Sequence, residues 1–193
     1  NIAYSFSKLE NSKVLLIDMD LRNPSIHKQF EKSNTYGLMD HLKNDRPLDK
    51  CVSKIEENID ILTTGAIPPN PTEVLSSNKV ATFLEDIKDH YDYIFIDSPP
   101  VGVVSDATVI SKIVDGVMFV VGANETDLSH AEIAVENLKK ADANVIGAVL
   151  NKYEIKETSY SYYGYYYKQD AAPGSRAARK KKKGLFGKLA GAR

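Results

Sequence analysis

Val14-Leu15-Leu16-Ile17-Asp18-Met19-Asp20-Leu21-Arg22-Asn23-Pro24 decides how this chain is read. Four aliphatic residues in a row carry no 3.6-residue stripe and no in–out alternation. A short continuous apolar run of this kind fits a strand buried on both faces, as in parallel sheets covered by helices. The run ends in two carboxylates two positions apart, so in extended backbone both leave the chain on one side. Pro24 then stops the segment.

Four further runs share the pattern: Ile59–Leu62, Tyr93–Asp97, Val117–Val121 and Val145–Leu150. Between them the spacing turns helical. Val80, Phe83, Leu84 and Ile87 recur at i, i+3, i+4 and i+7, and Ile133, Val135 and Leu138 follow Ser129, a candidate N-cap. Ile2, Phe6 and Leu9 fit the end of a helix leading into the first strand. Strand–helix alternation predicts an α/β fold, a mostly parallel sheet flanked by helices on both faces.

The 193 residues are enough for one such domain and too few for two ordinary ones. A single cysteine, Cys51, excludes an internal disulfide framework and a four-thiolate metal centre within one chain. No run reaches the 18 or so apolar residues of a membrane-spanning helix.

The net charge of −1 conceals an asymmetry. Residues 176–193 hold eight Lys/Arg and no acid, which leaves 17 basic against 26 acidic residues elsewhere, a net of −9. The basic tail reads either as a solvated, disordered end or as a segment resting on an anionic membrane surface, at about 1 kcal/mol per basic residue. Nucleic acid is not the expected partner, because only Phe186 interleaves the basic run. Seven of the eleven tyrosines fall between Tyr153 and Tyr167, where aliphatic periodicity has ended. The organisation expected is therefore a domain over 1–153, a tyrosine cluster over 154–168 and a basic tail over 169–193.

In open parallel sheets ligands bind at the carboxyl ends of the strands. Asp18 and Asp20 end one strand and Asp97 another, so all three are expected to converge on one hydrated divalent cation. Mg²⁺ keeps several waters and needs only one or two carboxylates. The alternative is that each Asp simply caps its turn. Arg22 stands beside the acid pair, to orient it, to meet a phosphate, or to form a weak surface ion pair. In Gly65-Ala66-Ile67-Pro68-Pro69-Asn70-Pro71-Thr72-Glu73, Pro71 stiffens a helix entry and Thr72 is its candidate cap.

Four segments, in order, resemble one family. VLLIDMDLRNP (14–24) is similar to the Walker A′ element of bacterial tyrosine kinases of capsule and exopolysaccharide synthesis. YIFIDSPP (93–100) is similar to their Walker B strand, with Ser98 where Thr is commoner. GAIPPNPTEVLSS (65–77) resembles the loop and helix that usually follow, and SYSYYGYYY (159–167) their C-terminal tyrosine cluster. The resemblance implies a P-loop NTPase fold of the MinD/ParA kind. It implies ATP and Mg²⁺, with Asp18 as base or orienter of a tyrosine hydroxyl, Asp20 assisting, and Asp97 holding the metal together with Asp18. It implies Tyr160, Tyr162, Tyr163, Tyr165, Tyr166 and Tyr167 as acceptors, Asn151 as an adenine contact, and Arg22 as a phosphate or interface contact.

It further implies a homo-oligomeric ring, a membrane-anchored activator (a polysaccharide co-polymerase), an opposing tyrosine phosphatase, and a cytoplasmic location peripheral to the plasma membrane. The family's phosphate-binding strand and loop, ending Gly-Lys-Ser/Thr, do not occur in these residues. The expectation is a kinase fragment that binds nucleotide poorly alone. A partition-type partner-switching ATPase and a catalytically silent phospho-acceptor scaffold are the competing readings.

Overall fold

A computed structural model of the chain describes residues 1–154; the tyrosine cluster and the basic tail lie outside the described residues. Within 1–153 thirteen α-helices and strands follow one another. They are α1 (Ile2–Phe6), β1 (Val14–Asp18), α2 (Ile26–Gln29), α3 (Leu38–Asn44), β2 (Val52–Glu56), β3 (Ile59–Leu62), α4 (Pro71–Leu75), α5 (Asn78–Ile87), β4 (Tyr93–Asp97), α6 (Asp106–Ile110), β5 (Val117–Gly122), α7 (Leu128–Lys140) and β6 (Val145–Asn151).

The decisive segment forms β1, flanked on both sides by parallel partners. Val14 to Ile17 pair with Ile59 to Leu62 of β3, and Val14 to Asp18 pair with Tyr93 to Asp97 of β4. Val14, Leu15 and Ile17 are fully buried. Leu15 and Ile17 enter one hydrophobic core with Leu38 and Leu42 of α3, Phe83, Leu84 and Ile87 of α5, and Ile110 of α6. Val14 and Leu16 meet the opposite layer, Ala3 and Phe6 of α1. Helices thus cover both faces, and the unbroken apolar run of β1 follows from having no solvent face.

Three features depart from the sequence reading. The sheet is not continuous: the strand order is β2-β3-β1-β4, and β5 pairs with β6 in a separate parallel sheet. β2 is an additional antiparallel edge strand beside β3. Its sequence, Val-Ser-Lys-Ile-Glu, is too polar and half-buried to read as a core strand. The cap of α7 is Asp127, whose carboxylate accepts from Ser129 N at 2.8 Å, so Ser129 belongs to the first turn of the helix.

The entry to α3 is set by close backbone contact. Leu38 N and Met39 N donate to Thr63 O and Thr64 O just beyond β3, at 2.8 and 3.0 Å. A Cβ on Gly37 would lie 2.2 Å from Thr63 O and 2.4 Å from Gly65 N. Backbone cannot yield as a flexible side chain does. Gly37→Ala is therefore expected to cost about 3 kcal/mol, the upper end for overpacking, and to lower the melting temperature by roughly 10 °C. Thermal denaturation by circular dichroism checks this.

Candidate functional site

β1 and β4 end side by side, with Asp18 and Asp97 as register partners. Adjacent strands lie about 4.8 Å apart, so two carboxylates leave the sheet at one point. Met19 N donates to Asp97 O at 2.8 Å, which extends the pairing one residue past Asp18.

Asp18 has no exposed surface. Its Oδ2 accepts from Ser25 N and Ile26 N, both at 3.0 Å, at the start of α2. Its Oδ1 is buried and has no hydrogen-bond partner among the described residues. Burial pushes the Asp18 carboxyl above its ordinary value, against the pull of the Ile26 and Ser25 amides, and the Asp20 charge adds to the rise. Asp97 is exposed. Partial desolvation, then the charges of Asp18 and Asp20, push its carboxyl from 3.8 up to about 6.

The three acids do not form the cage expected of them: among the described residues no group of three or more His, Cys, Asp or Glu is arranged to hold a metal ion. Asp20 is turned onto its own loop, where Oδ1 accepts from Arg22 N at 3.1 Å and Asn23 N at 2.9 Å. Only Asp18 and Asp97 remain as direct donors. An unpaired buried carboxylate oxygen beside a second carboxylate of raised pKa is a site that gains by taking up a cation. One or two carboxylates suffice for Mg²⁺ with its water shell, so the residues fit that ion.

Arg22 goes elsewhere than to the acid pair. Its Nε donates to Asp106 Oδ2 at 2.7 Å, and one Nη donates to Asp106 Oδ1 at 3.2 Å and to Thr72 Oγ1 at 2.9 Å. Thr72 is thus not a cap; α4 begins after Asn70, with Pro71 in its first turn. Asn151 ends β6 in the separate sheet, exposed, with its Oδ1 accepting from Lys152 N at 2.9 Å. The structure therefore sets Asp18 beside Asp97, turns Asp20 onto its own loop, ties Arg22 to α4 and α6, and leaves Asn151 outside that group. Asp106 was missed in the sequence. Its only signal there is an acid opening a short apolar helical segment, which is a common cap pattern.

The parallel strands, the covering helices and the acidic strand ends define a P-loop NTPase-type α/β domain. A family profile described as an AAA domain matches residues 1–125. CapB of Staphylococcus aureus is 39% identical over 171 residues, covering 88% of this chain and 74% of its own. The tyrosine-protein kinase YwqD of Bacillus subtilis is 36% identical, over 85% of this chain and 70% of its own. Among solved structures, the VpsO kinase domain is 35% identical with a TM-score of 0.74, over 79% of this chain and 75% of that one. A ParA family ATPase from Chlorobium tepidum reaches a TM-score of 0.65 at 17% identity, a likeness of fold alone. This chain belongs to the family of bacterial tyrosine-protein kinases.

Proposed function

We propose that the protein is an ATP-dependent tyrosine autokinase acting on its own C-terminal tyrosines and regulating capsule or exopolysaccharide synthesis. The observation that carries this reading is the pairing of Asp18 and Asp97 at the ends of adjacent parallel strands, with Asp18 Oδ1 buried and unpartnered. The substrates are ATP and a tyrosine hydroxyl. The phenol oxygen attacks the γ-phosphorus, the bond from that phosphorus to the β–γ bridging oxygen breaks, and ADP leaves.

A tyrosine with pKa about 10 is a poor nucleophile at neutral pH. Asp18 Oδ1 receives the phenolic proton as the new bond forms. Asp20 assists by holding the turn that follows β1. Asp18 and Asp97 would hold Mg²⁺, which when bound neutralises charge on the transferring phosphoryl group. Asn151, at a strand end, is the candidate adenine contact. Arg22 orients the acid turn from the side facing α4 and α6.

The acceptors are Tyr160, Tyr162, Tyr163, Tyr165, Tyr166 and Tyr167. Each phosphotyrosine adds about −1.5 to −2 charges, so several offset the eight basic residues of 176–193. Modification then weakens contact of that tail with an anionic membrane and with neighbouring subunits of a ring. A membrane-anchored activator and a tyrosine phosphatase complete the cycle at the cytoplasmic face of the membrane.

The test uses protein expressed from its complete reading frame, incubated with MgATP and mapped by mass spectrometry. Phosphotyrosine is expected within 160–167, and replacing those six tyrosines with Phe is expected to remove roughly nine-tenths of it or more. ATP hydrolysis without phosphotyrosine would place the protein with the partner-switching ATPases. Phosphotyrosine appearing only when another kinase is added would make it an acceptor scaffold.

A further inference from the structure

Asp106 takes no part in the chemistry described above, yet among the described residues it and Asp18 are the two carboxylates with no exposed surface. A buried charge persists where it is paired and hydrogen-bonded. Here the pairing comes from two other segments of the chain. Arg22 reaches in from the turn after β1 with two N–H groups, at 2.7 and 3.2 Å. Thr72, on α4, donates its hydroxyl to Asp106 Oδ1 at 2.5 Å and accepts from Arg22 Nη2 at 2.9 Å. Burial alone would raise the Asp106 carboxyl; the Arg22 and Thr72 hydrogen bonds and the Arg22 charge outweigh it and hold it below the ordinary range. A planar guanidinium gripping both oxygens fixes direction as well as distance, which a lysine ammonium does not.

The backbone that carries Arg22 is the turn that carries the acid pair. Arg22 N and Asn23 N grip the Asp20 carboxylate, and Ser25 N and Ile26 N grip that of Asp18. Residues 20–26 are thus held from one side by the two acids of the site. Through Arg22 they are tied on the other side to α4 and α6. A side-chain ring closed by four hydrogen bonds among Arg22, Thr72 and Asp106 is more than a surface ion pair, because one partner is wholly desolvated.

We propose that Asp106 is a positioning residue of the site: through Arg22, and with Thr72, it fixes the turn that Asp20 holds and that sets Asp18 against the reacting groups. Its catalytic consequence rests on the kinase reading; the anchoring itself does not. Asp106→Asn keeps the shape, removes the charge and turns an amide N–H₂ toward the guanidinium. Thr72→Val keeps the volume and removes the hydroxyl, and Thr72→Ser restores it.

Two measurements test this. In the 193-residue chain, amide exchange at Arg22, Asn23, Ser25 and Ile26 is expected to speed up roughly tenfold or more in Asp106→Asn and Thr72→Val. The amides of β1 should stay as protected as in the unsubstituted chain. In protein from the complete reading frame, the same two variants should lose roughly 10- to 100-fold in kcat with KM for MgATP within about threefold, and Thr72→Ser should keep kcat near the unsubstituted value. Wild-type exchange rates in the turn, or a uniform rise over the whole domain, would overturn the proposal. So would equal loss of turnover in Thr72→Ser and Thr72→Val. If Asp106→Asn fails to fold, the two Thr72 variants decide alone. If the unsubstituted protein transfers no phosphate, the kinase reading fails and the exchange comparison still decides whether Asp106 anchors the turn.

Discussion

Asp18→Asn should reduce tyrosine phosphorylation by roughly 100- to 10,000-fold, the range expected for loss of a positioned base, while leaving the fold intact. The reason lies in the division of labour between the two carboxylate oxygens. Oδ2 is structural, accepting from Ser25 N and Ile26 N at 3.0 Å each. An asparagine carbonyl can accept the same two bonds. Oδ1 has no partner among the described residues and is buried, so it is the oxygen left for proton transfer and cation binding. Asparagine puts an N–H₂ there and removes the charge. Relief of the desolvated charge and its repulsion with Asp20 opposes the cost of a buried N–H₂ without an acceptor, about 1–3 kcal/mol, so the melting temperature should change by only a few degrees.

Asp18→Ala separates the two roles. It strands two N–H groups at the start of α2, at about 1–3 kcal/mol for each one left unsatisfied, and should melt several degrees lower. Phosphotyrosine blotting and differential scanning calorimetry on both variants check this. Substantial activity in Asp18→Asn would remove Asp18 from the chemistry. A large loss of stability in the same variant would show that the charge, rather than the acceptor geometry, holds the loop.

What the sequence showed and what it hid follow from the range of the interactions involved. Continuous apolar runs are local signals, so β1, β3, β4, β5 and β6 were legible, and the stripe of Val80, Phe83, Leu84 and Ile87 became the buried face of α5. The pairing of Asp18 with Asp97 was legible because both end strands of one type. The edge strand β2 was not, since Ser53 and Lys54 give it no core pattern. Asp20 was placed near the right site but given the wrong partners. An acid two residues before a free N–H closes onto its own backbone, and that local bond turns its carboxylate away from a shared cage.

Arg22, Thr72 and Asp106 were the least legible. Thr72 and Asp106 lie 50 and 84 positions from Arg22 in the chain, and each of the three has a local explanation (ion pair, cap, cap) that conceals the long-range one. Runs such as Val-Met-Phe-Val-Val read as buried, yet Val120 and Ile146 are 53% and 64% exposed in the separate sheet.

Asp97 supplies the second large effect, in the opposite sense for stability and for activity. Its carboxyl stands at about 6 in the folded protein against 3.8 ordinarily, so folding raises its proton affinity. Below about pH 4 both states hold the proton. As pH rises from about 4 to about 6 the unfolded chain ionises first, and the stability present at low pH is lost through the folded pKa. The carboxyl of Asp18 is shifted in the same direction, mainly by burial, and its charge contributes to the rise at Asp97. Since Asp97 is exposed, solvent screening reduces the loss to on the order of 1 kcal/mol.

Asp97→Asn removes a partly desolvated charge and its repulsion with Asp18 and Asp20. It should raise the melting temperature by about 2–4 °C at about pH 7.5 and hardly change it near pH 4. The same repulsion makes the pair a cation site, so Mg²⁺ should stabilise the unsubstituted protein at about pH 7.5, much less at about pH 5, and Asp97→Asn at neither. Phosphotransfer should fall as pH drops through about 6 in the unsubstituted protein and be lower by roughly 100-fold or more in Asp97→Asn at every pH. Melting curves across pH with and without Mg²⁺, beside initial rates, measure both halves. A variant that melts lower than the parent near neutral pH would mean that Asp97 is held by partners rather than strained by neighbours. A carboxylate already satisfied in that way would gain nothing from a metal ion.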